Sequence, residues 1–374
     1  MEANLLMDEY RDELLEAEIE DTAQEDNDSI YFSISSFGAD YTVDGLVNRL
    51  NKRQIIVPEF QRKYVWDIKK ASRFIESLII GLPVPGIFLS RDNLVNSTHS
   101  DGSSGGMNPP HLIIDGQQRL ISLQRFYKGV FCEKVFRLVG VCDELNGKSY
   151  NELSLDDQSR LDDAIIHATI IKQDVPDKDN SSIYMVFERL NTGGMLLQPQ
   201  EIRACIYHGE FNNLLNELIK VPVWRSLFKK ENPRMKEQEM ILRFFALYYN
   251  HNEYKKGLKH LLNSFMSKNR NLQNYNKEIL QDLFVKSISL LVEAKGKETF
   301  RRGTAVNAAL FDSMMIGVAH RLQESPMTAE ECRTKYDELV KNQSYVDYST
   351  ISTADEKSLK ERIKLAIEMF SNAR

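Results

Sequence analysis

No stretch of this 374-residue chain stays apolar for the roughly 20 residues that a membrane-crossing helix needs, which excludes a helical membrane protein. The acidic N-terminus lacks the basic start and apolar run of a secretory signal, so a cytoplasmic protein with no membrane partner is expected. Cysteine is scarce: Cys132, Cys142, Cys205 and Cys332 are scattered, with no CxxC pair. Structural zinc is therefore not expected, and free thiols in a reducing compartment are. The seven histidines give no HExxH and no pair at ligand spacing, and His320 is the only one beyond residue 260. There is also no GxxxxGK[ST] phosphate loop and no GxSxG elbow. Zinc proteases, P-loop NTPases and serine hydrolases of those kinds drop out, and no residue is assigned as a metal ligand.

What is present begins with an uneven charge distribution. The formal charge is −6, yet residues 1–28 hold twelve acids against one base, Arg11, a net −11. The rest holds 47 bases and 42 acids, so a mildly basic body follows an acidic leader. A block of like charge reads as a solvated tail, or as a mimic of nucleic acid lying in a basic groove.

Hydrophobic periodicity divides the body into an α+β part and a helical part. Leu5 to Ile19 fits a short helix, Ile30 to Ser35 an edge strand, and Thr42 to Asn51 a helix with Val43, Leu46, Val47 and Leu50 on one side. Gln54 to Val57 is a β-branched strand. Asp67 is placed to cap a helix whose apolar face is Ile68, Ala71, Phe74, Ile75, Leu78 and Ile79, stopped by Gly81 and Pro83. Strands are expected at Gly86–Ser90, His111–Ile114 and Ile165–Lys172, with a strand pair over Phe131–Val141 and helices over Gln117–Lys128 and Ser181–Leu190. The polar stretch 91–110 has the length and composition of a functional loop. From Pro199 the signals are helical, in 199–208, 211–219, 237–250, 273–294, 304–322 and 327–341. A capping box of Thr353 with Glu356 opens a last helix facing inward through Leu359, Ile363, Ala366, Ile367 and Phe370. The expected domains are the leader 1–28, an α+β domain 29–196 and an α-helical domain 197–374.

Three segments could carry chemistry. In the first, a buried strand turns at Asp115-Gly116 into a helix that begins Gln117-Gln118-Arg119. A glycine there permits an unusual backbone angle and a close approach. The helix start offers unpaired N–H groups and partial positive charge, which suit phosphate. Asp115 could hold a metal or orient water, and Arg119 could bind phosphate oxygens in bidentate fashion. The same residues also fit a capped helix with its polar side chains in solvent. In the second segment, Gln61 and Arg62 lie among Phe60, Tyr64 and Trp66; here Trp66 and Phe60 read as core, Gln61 and Arg62 as functional. The third is Asn191-Thr192-Gly193-Gly194, with Glu201 and Arg203 downstream, which alone is no more than a helix C-cap.

Taken in order, these segments resemble one family. Pro58-x-Phe60-Gln61-Arg62-x-Tyr64-Val65-Trp66 is followed by Phe74-Ile75-Glu76-Ser77-Leu78-x-x-Gly81-Leu82-Pro83-x-Pro85. Next comes Ile114-Asp115-Gly116-Gln117-Gln118-Arg119-Leu120, and then Phe187-x-Arg189-Leu190-Asn191-x-Gly193-Gly194 with Glu201-Ile202-Arg203. The whole is similar to the N-terminal domain of GmrSD-type restriction proteins, across residues 55–205. Glu239, Arg243 and Phe244 resemble that family's downstream part more loosely. The resemblance implies a ParB/sulfiredoxin-like fold, nucleotide binding and often hydrolysis, and a role in defence against modified or foreign DNA. By motif, Asp115, Gln118 and Arg119 become the catalytic or phosphate-contacting group. Gln61, Arg62, Gly116, Gln117, Asn191, Gly193 and Gly194 become nucleotide-binding, and the cofactor becomes Mg²⁺ with a nucleoside triphosphate. Many such proteins carry an HNH nuclease, which needs a His base and several metal ligands; the lone His320 does not supply them, so cleavage is expected from a separate nuclease chain.

Two other readings stay open: a DNA-binding module without hydrolysis, and a scaffold that binds a partner protein. Against the scaffold stands the argument that nothing in packing requires Gln-Gln-Arg at a helix start.

Overall fold

The computed structural model describes residues 34–57, 64–91, 111–173, 181–190, 198–228, 230–255, 257–302 and 305–371. The acidic leader, the helix expected at Leu5–Ile19, nearly all of the stretch 91–110, and Phe60, Gln61, Arg62, Asn191, Gly193 and Gly194 lie outside these residues. The chain divides into two compact units, one within Tyr31–Leu197 and one within Gln198–Arg374.

The first unit is α+β. Strand β1 (Ile34–Thr42) runs straight into helix α1 (Val43–Asn51). Thr42 caps α1 by accepting the Gly45 amide, and Val43, Leu46, Val47 and Leu50 form its buried face. After β2 (Ile55–Ile56), helix α2 (Ile68–Ile79) starts where the Asp67 carboxylate accepts the Lys70 amide at 2.7 Å. Then follow β3 (Ile87–Arg91), β4 (His111–Asp115), α3 (Gln117–Lys128), the two-residue strands β5 (Val130–Phe131) and β6 (Lys134–Val135), α4 (Leu155–Asp163), β7 (Ile165–Gln173) and α5 (Ser181–Leu190).

The main sheet has the order β1-β7-β3-β4-β2 and is mixed. Its β1–β7 and β3–β4 pairs are antiparallel, while β7–β3 and β4–β2 are parallel. Ile87, Leu89, Ile113, Ile166, Ala168 and Ile170 carry the sheet's share of one core, completed by the apolar stripes of α1, α2 and α3.

Three expectations change here. The first strand runs on to Thr42 instead of ending at Ser35, because nine residues paired with β7 set its extent although Ser35 to Ala39 show no alternation; its expected start at Ile30 lies outside the described residues. The strand pair over Phe131–Val141 shrinks to a two-residue ladder. Phe136 and Leu138 are buried there as loop anchors, their amides bonded to the Gly129 and Lys148 carbonyls. Helix α4 was not expected: Leu161 is its only buried residue, and it is held by the Ser154 cap and acids in its first turn.

The second unit is helical: α6 (Pro199–Ile206), α7 (Glu210–Leu218), α8 (Pro222–Leu227), α9 (Lys236–Asn250), α10 (Leu258–Lys268), α11 (Lys277–Lys295), a small β8–β9 ladder (Arg301–Arg302 with Ala305–Val306), α12 (Ala308–Glu324), α13 (Ala329–Leu339), α14 (Gln343–Tyr348) and α15 (Glu356–Phe370). Helix α12 is buried on every side from Ala308 to Ala319, as befits the centre of a bundle. At Gly317 a Cβ would come within 2.8 Å of the Phe370 ring, so the glycine is what lets α15 approach so closely. The Thr353–Glu356 capping box is not made. Asp355 is the N-cap, and Thr353 instead turns its carbonyl inward to accept from the Arg362 guanidinium. Among the described residues no helix is long and apolar enough to cross a membrane, and all four cysteines are free.

Candidate functional site

The site expected at Asp115–Arg119 stands where β4 passes into α3. Ile113 and Ile114 are buried, which carries Asp115 to the strand end with 39% of its side chain exposed. Gly116 follows at φ +99° and is the helix N-cap, so no side chain caps α3. A Cβ on Gly116 would lie 2.5 Å from Ile87 Cγ2. Both reasons given for a glycine therefore hold, but the close approach is made by a core isoleucine.

The first turn of α3 divides its groups between protein and solvent. No described residue accepts from the Gln118 or Arg119 amides; the first helical bond is Leu120 N–H to the Gly116 carbonyl. Arg119, by contrast, is only 11% exposed. Its Nη2 donates to Asp115 Oδ2 at 2.7 Å and its Nη1 to the Pro85 carbonyl at 2.6 Å, tying the strand end, the helix and the turn before β3 together. Of the Asp115–Arg119 pair, the carboxylate is the part that reaches solvent.

Gln118 also faces protein. Its Oε1 accepts the Val65 amide at 2.9 Å and the Trp66 amide at 3.1 Å. One turn on, Ser122 Oγ donates to the Gln118 carbonyl at 2.7 Å and so receives the Tyr64 hydroxyl at 2.8 Å. Burial, before any other cause, raises the Tyr64 phenol above its ordinary pKa. The Arg125 guanidinium lies 4.1 Å from the centre of the Tyr64 ring. Trp66 is half-buried, edge-on to Phe74 at 5.8 Å, in keeping with the core role expected of it. Residues 64–66 are thus fastened to α3 by backbone bonds, a hydroxyl chain and a cation over a ring. Neither the Gln118 clamp nor the Arg119–Pro85 bond has a local signal in the sequence, since the partners lie 34 to 53 residues away. The Asp115–Arg119 spacing of four was a usable signal for the ion pair.

At the other end of β4, His111 has its pKa lowered, first by burial and then by Arg91 and Arg49. Among the described residues no three His, Cys, Asp or Glu side chains converge as a metal site.

The downstream motif residues have framework positions in the helical unit. Arg203 is fully buried, donating to Asn263 Oδ1 at 2.8 Å and to Glu239 at 2.9 Å. Glu201 accepts the Gln198 amide at 2.6 Å and the Arg234 guanidinium at 2.9 Å. Arg243 meets Asp312 at 2.7 Å, with Arg362 3.7 Å from the same carboxylate. These charges join α6, α9, α12 and α15, a role invisible to spacing because the partners lie 33 to 69 residues apart. His320 rests against Tyr248, ring centres 4.8 Å apart, and its pKa is lowered by burial first and by His251 second.

Compared with known families, residues 43–208 match the model described as GmrSD restriction endonuclease, N-terminal domain. The match begins at α1 and runs through the DGQQR segment to the end of α6. No curated protein matches the chain.

Proposed function

Because residues 43–208 form a GmrSD restriction endonuclease N-terminal domain, we propose that this chain is a nucleotide-binding component of a DNA restriction or phage-defence system, with a nucleoside triphosphate held at the start of α3. The observation that supports this most is the bare helix start. Gly116 contributes no cap, and the amides of Gln118 and Arg119 meet no acceptor among the described residues. Such an end favours an anion through its N–H groups and its dipole together.

In this reading Arg119 orients Asp115 and adds positive charge behind the phosphates. By the family motif, Gln61, Arg62, Gln117, Asn191, Gly193 and Gly194 would be the further nucleotide-binding residues; of these only Gln117 lies among the described residues. Mg²⁺ in triphosphate sites needs only one or two protein carboxylates, so the half-exposed Asp115 fits as its ligand. The ion would supply charge neutralisation on the phosphates. Hydrolysis would use Asp115 to orient water. DNA cleavage would fall to a separate nuclease chain in the same cytoplasmic system.

A second reading has one observation in its favour. Gln118 and Arg119 each have protein partners, so packing alone gives a reason for Gln-Arg at this helix start, and the argument against a scaffold loses force. A thermal-shift panel of the four NTPs with and without Mg²⁺ separates the two. At a hundredfold excess over Kd, ligand stabilises by about 2.7 kcal/mol, or roughly 5–10 °C for a unit of this size. Asp115→Asn, which keeps an acceptor for Arg119, should lose the Mg²⁺-dependent part. No shift with any nucleotide would leave the scaffold.

A further inference from the structure

Two histidines that no sequence motif links meet in the helical unit, where α9 and α12 end. Arg243 pairs with Asp312, and further along both helices Tyr248 rests on His320, so α9 and α12 run side by side in the same direction. Their last turns therefore come together. His251 is the C-cap of α9, and His320 lies one turn before Glu324, the last residue of α12. The two imidazoles stand perpendicular, ring centres 6.1 Å apart. His251 Nδ1 faces the Leu247 carbonyl at 3.0 Å. A carbonyl only accepts, so Nδ1 carries the proton and the neutral ring keeps its lone pair on Nε2. His320 Nε2 is buried and meets no hydrogen-bond partner among the described residues. Burying such an atom unpaired is costly, and the contact with Tyr248 needs only a ring, not a nitrogen.

We propose that His251 and His320 hold a divalent transition-metal ion of the Zn²⁺ class, with Glu324 as third ligand and water completing the shell. An ion about 2.1 Å from the facing nitrogens of two imidazoles sets the ring centres roughly 5–6.5 Å apart, a range that includes the spacing found. The bond from His251 Nδ1 to a carbonyl is the outer contact that fixes the tautomer and direction of a ligating imidazole. Glu324 is exposed, and its charge already acts on His320. With Glu324 turned to solvent the three side chains do not converge. Residues four apart on a helix are neighbours, and helical side chains lean toward the N-terminus, so rotation of Glu324 brings its carboxylate toward His320. Two helix C-termini also meet here, and their dipoles favour a cation. Arg321, the neighbouring base on α12, turns away to the Ser325 carbonyl and Glu331. Two imidazoles, a carboxylate and an open position make a zinc set, whereas Mg²⁺ and Ca²⁺ take oxygen ligands.

The test is calorimetric titration of Zn²⁺ into the full chain, treated with a chelator and carrying no histidine tag, without nucleotide or Mg²⁺. It uses a Cys132→Ser/Cys142→Ser background, because the two exposed thiols are zinc ligands in their own right. One ion per chain is expected. His251→Gln and His320→Gln should each weaken Zn²⁺ binding by about 100-fold or more, since loss of even an outer contact costs about 10–100-fold. Glu324→Gln should weaken it about tenfold, because an exposed side chain gives back part of its contribution in ordering entropy. His260→Gln, which removes an exposed histidine of α10, should leave the affinity unchanged. Circular dichroism checks that each variant is folded; if His320→Gln is not, His251→Gln, at a partly exposed helix end, decides. Absence of Zn²⁺ binding overturns the proposal, and so does unchanged affinity in any folded variant of His251, His320 or Glu324. Because no nucleotide is present, the outcome is independent of the site at α3.

Discussion

Replacing Gln118 with alanine should loosen residues 64–66 from α3. One oxygen accepts two amides, at 2.9 and 3.1 Å, so the substitution removes both bonds at once. A hydrogen bond of this kind contributes about 0.5–1.5 kcal/mol net. Val65 is 49% exposed, so water can take over its amide and its loss falls at the low end; Trp66 is half-buried and its loss lies higher. Together they amount to about 1–2 kcal/mol, a factor of roughly 5–30 in the local opening equilibrium. Hydrogen–deuterium exchange across Tyr64–Asp67 should accelerate by that factor, while the midpoint of global unfolding moves less, because the Tyr64–Ser122 bond and the Arg125 stack remain. Gln118→Glu retains an acceptor for both amides and should restore protection. Unchanged exchange in the alanine variant, or equal acceleration in both variants, would refute the clamp.

Other expectations are as direct. Gly116→Ala would place a methyl 2.5 Å from Ile87 Cγ2 at a positive φ, and should cost about 2–5 kcal/mol by chemical denaturation; Gly116→Ala/Ile87→Gly should remove the clash but not the backbone strain. Asp312→Ala leaves Arg243 and Arg362 without their shared carboxylate and should cost about 3–5 kcal/mol, measured the same way. The His320 pKa is depressed in the fold, so the unfolded chain takes up that proton first. Its destabilising effect is absent above the ordinary value of 6.5 and grows as pH falls from there toward the folded value. A His320→Phe variant should therefore show a flatter fall in melting temperature below pH 6.5; an identical acid limb would assign the loss to other groups.

Much of the α+β unit was readable because its signals are local. Asp67 acts as the expected cap three residues before the amide it accepts, and the stripes of α1 and α2 bury the residues that periodicity selected. The turn at Gly116 was legible because a positive φ narrows the choice of residue. Where local signals were weak the reading failed. Helix α4 has no apolar stripe, and α8 and α14 span only six residues each. Helix α10 went unread although its apolar residues fall at helical spacing.

The order of residues by itself determined the strand–glycine–helix turn, the apolar faces and the division into an α+β and a helical part, since each depends on backbone preference and periodicity over a few neighbours. Only the tertiary structure decided what the polar motif residues touch. Gln118 reaches amides more than 50 positions back along the chain, Arg119 a carbonyl 34 back, and Arg243 a carboxylate 69 ahead. A side chain's hydrogen-bonding capacity is fixed by its chemistry, but the partner that fills it is fixed by which distant backbone or charge the fold carries within 3 Å.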